Sequence, residues 1–420
     1  MLAAGQAQLG APNVQARCNS NVGIGWSKDR HTGTALPKDF SLVLGGPLYQ
    51  LLLRYKIIEP PLGHLGWRIG LITAAAWLPL LPLTIFAGHF AANVKVPFLY
   101  DFEAQARLLF SLPLLIAAEL LVYVRMRGLT AQFIERQIVN EDVRPAFYTA
   151  ISSAMRLRNS LPAEIVLLLL VIFAGPQVWR GTIALHSDTW YAAAGSPNLT
   201  AAGYWYAYVS VPIFQFILLR WYYRIAIWCR FLFQVSRLDL NLVPLHPDRC
   251  CGLGFLGTVV FSFAPLLMAH SGIMAGYIAN RILQQGAALP NFRFELIGLA
   301  VLLLVIVLGP LCVFTPKLNR ARLAGLRTYG VLASDYVVDF ASKWTRGRNA
   351  EREPLLGSAD IQSLADLANS FAVVKEIKLV PFGKETIIRF LIVIALPLAP
   401  LLFTMFSAEE LLKRLIGVLL

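Results

Sequence analysis

Seven apolar stretches, each close to the length that a helix needs to cross a bilayer, constrain this chain more than any other feature. A hydrocarbon core of about 30 Å takes about 20 apolar helical residues to cross. Only 15% of the residues are charged, against about 25% in soluble domains. The stretches cover residues 69–91, 108–123, 164–179, 208–228, 255–278, 296–314 and 390–406. They predict an all-α, polytopic transmembrane helix bundle of about seven spans.

The distribution of positive charge predicts the orientation of the bundle. The net charge is +13, which could indicate nucleic-acid binding. With the amino terminus inside, however, 28 of the 37 Lys and Arg residues fall on inner segments and seven on outer segments. This bias is the one that the positive-inside rule describes. We therefore expect a cytoplasmic N-terminus, a periplasmic C-terminus and attraction to anionic lipid headgroups, with no nucleic-acid partner.

Composition and periodicity divide the chain into five parts. The first is polar and Gly-rich without a period, which indicates disorder. The second is apolar but interrupted by Gly45, Gly46 and Pro47, which favours a helix lying on the inner leaflet. The predicted parts are a disordered N-terminus (1–38), an inner interfacial helix (39–66), a six-span bundle (67–316), a helical cytoplasmic domain (317–387), and a seventh span with an outer amphipathic C-terminal helix (388–420).

One amphipathic helix is expected in the cytoplasmic domain. Apolar residues recur at three- and four-residue steps from Ile361 to Val374, and Ser358 is a plausible N-cap for that helix. Its apolar face either packs on the rest of the inner domain or binds a partner.

Two arginines lie inside the fourth predicted span. Arg220 is twelve residues from Tyr208 at the outer edge of the span, roughly 18 Å at the helical rise. Glu119 is equally far from Arg107 on a span of the same direction. An isolated Arg at such depth costs at least about 2.5–3.5 kcal/mol, which a carboxylate at equal depth would reduce. We therefore predict that Glu119 pairs with Arg220 or Arg224.

The role of this charged site is open at the level of sequence. The pair could be a structural link that docks the second and fourth spans, and Arg224 could instead extend to the headgroups. Alternatively, the arginines line a polar cavity for an anionic solute or a lipid headgroup, because intramembrane charge often marks a functional site.

A second polar group follows the fourth span, in a short inner loop. Its members are Arg237, Asp239, His246, Asp248 and Arg249. The loop could be a tight turn, in which Asp248 binds backbone donors, or the inner mouth of a pathway. His246 and Asp248 could also form an acid–base pair. The spacings typical of zinc ligands are missing, so no metal is expected.

Several phrases resemble a family of uncharacterised bacterial multi-pass inner-membrane proteins. They are FSLVLGGPLYQLL at 40–52, LVPLHPDRCCGLGFLG at 242–257, EPLLGSADIQSLADLANSF at 353–371, LVPFG at 379–383 and EELLKRL at 409–415. The resemblance implies a bacterial inner membrane. It implies no activity, substrate or catalytic residue.

Three classes of function remain. The leading hypothesis is a transporter or channel-like protein with Glu119, Arg220 and Arg224 in its interior. The second is a membrane scaffold or sensor that binds a partner through its cytoplasmic helices. The third is a lipid-modifying enzyme that uses His246 and Asp248. No phosphate-binding or hydrolase motif is present, so a non-enzyme without a cofactor is favoured. Membrane lipid and an anionic solute are the expected partners, and a homo-oligomer is compatible with the sequence.

Overall fold

The protein is described here from a computed structural model, which divides into two compact units, Met1–Lys38 and Asp39–Leu420. The described residues are 26–28, 35–37, 40–54, 62–173, 175–178, 188–193, 198–346 and 358–405. In the first unit, strands β1 (Trp26–Lys28) and β2 (Ala35–Pro37) pair antiparallel. The rest of the segment predicted to be disordered lies outside the described residues.

The second unit is built from α-helices, several of which are joined end to end by short 3-10 or π-helical turns. The helices are α1 (Pro47–Arg54), α2 (Leu65–Trp77), α3 (Leu80–Phe86), α4 (Phe102–Gln105), α5 (Leu112–Met126), α6 (Leu129–Glu135), α7 (Arg144–Arg158), α8 (Leu161–Phe173), α9 (Gly175–Val178), α10 (Ala201–Trp205), α11 (Val211–Arg237), α12 (Phe255–Val259), α13 (Ala264–Gln285), α14 (Arg293–Leu308), α15 (Thr315–Ala341), α16 (Ala359–Lys375) and α17 (Lys384–Ala395).

Within the described residues, six helical runs are long and apolar enough to cross a membrane, which confirms the predicted all-α bundle. They are Leu65–Phe86, Phe102–Glu135, Ala201–Arg237, Phe255–Gln285, Leu289–Thr345 and Lys384–Thr404. The third predicted span, residues 164–179, is different. There α8 is apolar but has 13 residues, a length of about 20 Å, which is shorter than the hydrocarbon core. Helix α9, which begins with Gly175 and Pro176, follows after residue 174, which lies outside the described residues.

The run that contains α13 lies at the centre of the bundle. In its most apolar stretch 61% of the residues are buried, against 17% in the first and last runs. Glycines permit this close packing, because a Cβ on Gly276 would lie 2.6 Å from the Phe102 carbonyl oxygen. By contrast, α8 and α14 expose large apolar side chains such as Leu168 and Leu302, as expected of faces that contact lipid.

Helix α11 carries the predicted charged site and is surrounded by the elements that complete it. It packs against α5, α7 and α8, and α5 in turn packs against α2. The segment before α1 packs on the C-terminal half of α11, where the Phe40 ring stacks on that of Phe231 with centroids 4.6 Å apart. The middle of α11 therefore faces the ends of several other helices.

The segment predicted to be cytoplasmic contains a pair of long helices. Helix α15 continues from α14 through a 3-10 turn, Gly309–Phe314, and α16 packs along α15. The Ser358 hydroxyl accepts a hydrogen bond from the Asp360 N–H at 3.2 Å, which confirms the predicted N-cap of α16. The predicted C-terminal amphipathic helix begins after residue 405 and lies outside the described residues.

Candidate functional site

Glu119 on α5 is the centre of a buried charge cluster. Its Oε1 atom lies 2.9 Å from Arg224 Nη2 and 3.6 Å from Arg220 Nη1, so the predicted pairing is present with both arginines. All three residues are buried. The one-turn spacing of the arginines on α11 directs both guanidinium groups toward α5, because residues four apart share a helix face.

Arg68 is a third partner of Glu119, which the sequence analysis missed. Its Nη2 donates to Glu119 Oε2 at 2.5 Å. The residue is only 3% exposed, and its Nε and Nη1 atoms have no hydrogen-bond partner among the described residues. The sequence placed Arg68 on the inner segment just before the first span. Helix α2 begins earlier, at Leu65, and carries Arg68 into the bundle.

Glu164 is a second carboxylate in the cluster, and it joins α8 to α1. Its Oε1 lies 3.4 Å from Arg220 Nε, and its Oε2 accepts the Leu48 backbone N–H at 2.8 Å. Asn159 accepts the Gly46 N–H at 2.9 Å. The side chains of Glu164 and Asn159 thus bind two backbone donors at the start of α1, which have no partner within that helix.

Arg158, at the end of α7, is a fourth guanidinium group near the site. It donates to the Ser41 carbonyl at 2.7 Å. Burial, followed by the positive charge of Arg224, lowers the pKa of Arg158 to about 10. The residue is therefore still cationic at neutral pH, although the protein makes that charge costly.

A small cavity connects these groups. It has about 10 Å³ of free space, roughly room for one water molecule, and its lining includes Gly45, Arg158, Glu164, Arg220 and Arg224. Arg220 forms ion contacts at 3.4 and 3.6 Å but no hydrogen bond within the described part of the chain. Arg68, Arg158 and Arg224 each donate to a protein oxygen, so Arg220 is the cavity-lining guanidinium that makes no hydrogen bond within the described residues.

The charges of the cluster do not balance. Among the described residues, four arginines, at positions 68, 158, 220 and 224, lie around two carboxylates, Glu119 and Glu164. If all six groups are ionised, the site carries two excess positive charges. Arginine remains protonated in proteins, so an anion is the group that can neutralise this excess.

The predicted inner-mouth loop is a separate structure. Asp248 accepts the backbone N–H groups of Cys250 at 2.8 Å, Gly252 at 3.1 Å and Gly254 at 2.8 Å. Burial raises the pKa of Asp248, but these hydrogen bonds outweigh burial and lower it below its usual value. The His246 Nδ1 atom lies 2.9 Å from Asp248 Oδ1. Asp248 therefore holds a tight turn.

The other three residues of that loop are exposed. Arg249 pairs with Glu376 at 2.6 Å, and the Arg237 guanidinium stacks over the ring of Phe233. Asp239 is exposed to solvent. No described contact joins the loop to Glu119 or to the arginine cluster.

A second buried polar network lies at the other end of the bundle, and the sequence analysis did not find it. Arg107 donates to Glu103 and, at 2.5 Å, to the Tyr206 hydroxyl. Asp101 accepts from Trp190 Nε1 at 2.9 Å and from Asn280 Nδ2 at 2.8 Å. The polar atoms of this network are paired with each other, so it links four segments of the chain.

Among the described residues, no group of three or more His, Cys, Asp or Glu side chains could hold a metal ion. Comparisons with protein-family models, with curated proteins and with solved structures find no match to this chain.

Proposed function

We propose that this integral membrane protein recognises an anionic group at the cluster around Arg220, as part of a transporter or channel-like activity. The observation that carries the proposal is the combination of excess positive charge with a buried, cavity-lining guanidinium that lacks a hydrogen bond. A purely structural ion pair would not need four arginines for two carboxylates. Two unsatisfied nitrogens of Arg68 add to the positive potential of the same cluster.

The depth of the cluster favours access from the inner side. The exposed rings of Tyr204 and Tyr208 suit an aromatic belt at the outer interface. Arg220 and Arg224 follow Tyr208 by 12 and 16 residues, or roughly 18 and 24 Å along the helix. In a core of about 30 Å this depth is nearer the inner headgroups. We further propose a bacterial inner membrane with a cytoplasmic N-terminus and a periplasmic C-terminus. This orientation requires that the stretch containing α8 and α9 make a seventh crossing, and it is supported by the positive-inside distribution and the family resemblance.

Anion titration of the purified full chain tests the proposal. Phosphate, sulfate and chloride are titrated by calorimetry at constant ionic strength, with the protein in maltoside micelles. Mixed micelles that contain phosphatidic acid supply the lipid form of the anion. We expect saturable binding of at least one anion and a loss of at least about tenfold in affinity in Arg220→Gln, because charge-assisted hydrogen bonds to oxyanions are worth about 1.5–3 kcal/mol.

Arg230→Gln is the matched control, since Arg230 lies on the same helix with its side chain exposed. It should bind like the wild type. Equal binding by the wild type and Arg220→Gln, or no binding of any anion by either, would overturn the proposal. If binding is found, uptake of the same anion into proteoliposomes separates transport from static binding.

A scaffold role is the second candidate. Val331, Leu332 and Val338 on α15, and Ile361 on α16, are each at least 46% exposed. Such an apolar surface outside the bundle suits self-association. A homo-oligomer formed through it predicts a lower particle mass for the double variant Val331→Asp, Val338→Asp in size-exclusion chromatography with light scattering. An unchanged mass would exclude this face as the interface.

A further inference from the structure

The carboxylate of Glu164 lies among the kinds of hydrogen-bond donor that bind oxyanions in proteins. One of its oxygens accepts the Leu48 N–H in the first turn of α1, and the other faces Arg220 Nε at 3.4 Å. The start of a helix offers free N–H groups and the positive end of the helix dipole, while guanidinium supplies a planar fork of donors. Both kinds of donor converge on Glu164.

The loop before α1 brings its backbone close to the same charged groups. Gly45 and Gly46 have φ angles of +133° and +93°, which L side chains rarely adopt. A Cβ on Gly46 would lie 3.0 Å from Glu164 Oε1 and 3.6 Å from Arg220 Nη2. A Cβ on Gly45 would lie 2.6 Å from Arg158 Nη2. The two glycines therefore keep the space between the loop and the guanidinium groups free of side chains.

The contact between Glu164 and Arg220, at 3.4 Å, is an ionic link of the cluster that does not involve a guanidinium hydrogen bond. Arg224 and Arg68 are hydrogen-bonded to Glu119, at 2.9 and 2.5 Å. Arg220 reaches neither carboxylate at hydrogen-bond geometry. Glu164 can therefore leave Arg220 without disturbing the two hydrogen-bonded pairs of Glu119.

From this geometry we infer that the anion is a phosphate group, a phosphomonoester or phosphodiester, which binds between Arg220 and the start of α1 in place of the Glu164 carboxylate. The inference rests on the proposed function. It adds the chemical class of the ligand, and it identifies the Glu164 carboxylate as a group that competes with the ligand for the site. A phosphate has more acceptor oxygens than a carboxylate, so one group can accept from Arg220, from the Leu48 N–H and from Arg158 together. Inorganic phosphate and a lipid phosphate share this chemistry.

Phosphate titration of Glu164→Gln tests the competition. When a site is free for only a fraction of the time, its apparent affinity is its intrinsic affinity multiplied by that fraction. Removing the competing charge should therefore tighten phosphate binding, by about tenfold if the wild-type site is free for one tenth of the time. Arg220→Gln should lose binding, and Arg230→Gln should match the wild type. Gly46→Ala should also lose binding, because its methyl group enters the ligand space.

Two titration arms distinguish the sources of phosphate. Inorganic phosphate is added to the protein in maltoside micelles, and phosphatidic acid is added in mixed micelles. Tightening in the first arm identifies a free phosphate, and tightening confined to the second identifies a lipid headgroup. Because Glu164→Gln could lower stability, its melting temperature is measured with and without phosphate. A larger phosphate-induced rise than in the wild type supports the inference even in a weakened fold.

The failures are separable. If Arg220→Gln loses binding but Glu164→Gln binds phosphate no more tightly than the wild type, Glu164 is no competitor and only this inference fails. Acetate or chloride binding as tightly as phosphate would overturn the assignment of the ligand class. If no anion binds to the wild type, the proposed function fails and the inference fails with it.

Discussion

Replacing Glu119 by Gln should destabilise the bundle more than any other single neutralisation in the cluster. Glu119 is hydrogen-bonded to Arg68 and Arg224, and it faces Arg220 at 3.6 Å. The variant keeps the shape of the side chain but leaves three buried guanidinium groups with Glu164 as their remaining counter-charge.

The magnitude follows from the geometry. Unit charges about 4 Å apart attract by about 4 kcal/mol at an effective dielectric constant of about 20. Two partners of Glu119 are in direct contact, so the gross loss is about twice that value, and relaxation and water entry recover a large part of it. Breaking a buried ion pair by removing one partner typically costs about 3–5 kcal/mol. We expect Glu119→Gln to cost at least this much.

Unfolding of the purified protein by SDS in mixed micelles measures the cost. Glu135→Gln is the matched control, because Glu135 lies on the same span with its side chain exposed. It should be close to the wild type, within about 0.5 kcal/mol. A double-mutant cycle with Arg224→Gln should give a coupling of about 1–3 kcal/mol, since the double variant removes both charges together.

A loss of less than about 1 kcal/mol in Glu119→Gln would refute the reasoning, because a loss that small is typical of a substitution at the protein surface. Additive effects in the cycle would refute it as well. Either result would mean that water or lipid already screens the cluster, in which case the balance of its charges would not matter for the fold.

Three further predictions concern the rest of the chain. The pKa of Asp248 is lower in the fold than in the unfolded chain, so its stabilisation is present above about pH 4 and is lost as the pH falls through the folded value. The melting temperature of Asp248→Asn should therefore fall less than that of the wild type between about pH 5 and about pH 2; parallel curves would contradict this. Asn280→Ala removes a hydrogen-bond donor to the Asp101 carboxylate and the acceptor of the Phe102 N–H. It should lower the free energy of unfolding in SDS by about 1–3 kcal/mol. No change would mean that water replaces the amide. Burial, followed by the charge of Asp248, raises the pKa of Cys250 to about 11 and that of Cys251 to about 12. Alkylation by iodoacetamide near neutral pH should be slow for both thiols in the folded protein and fast in SDS, and equal rates would show that the loop opens.

The pairing of Glu119 with the α11 arginines could be predicted because depth along a helix is a property of sequence. A fixed rise per residue assigns each position a height, and the cost of charge in lipid requires a partner at equal height. The same argument could have found Arg68 if the start of the first span had been placed at Leu65. A helix boundary is the least certain feature in a sequence, and an error of four residues was enough to leave Arg68 outside the membrane.

Glu164 and the second polar network could not be found in this way. Glu164 was assigned to the edge of the third span, where a carboxylate usually contacts water. Its contact with the Leu48 N–H joins positions 116 residues apart, and no local pattern records it. Similarly, the bond from Asn280 to Asp101 joins positions 179 residues apart.

The sequence by itself determined that the chain is a helical membrane bundle, because lipid offers no hydrogen bonds and only helices with long apolar stretches satisfy their own backbone there. It also determined that Arg220 and Arg224 need an acidic partner. Only the tertiary structure decided how many charges meet, since that number depends on which helix faces are brought together. The excess of arginines and the displaceable contact of Glu164 are properties of that packing.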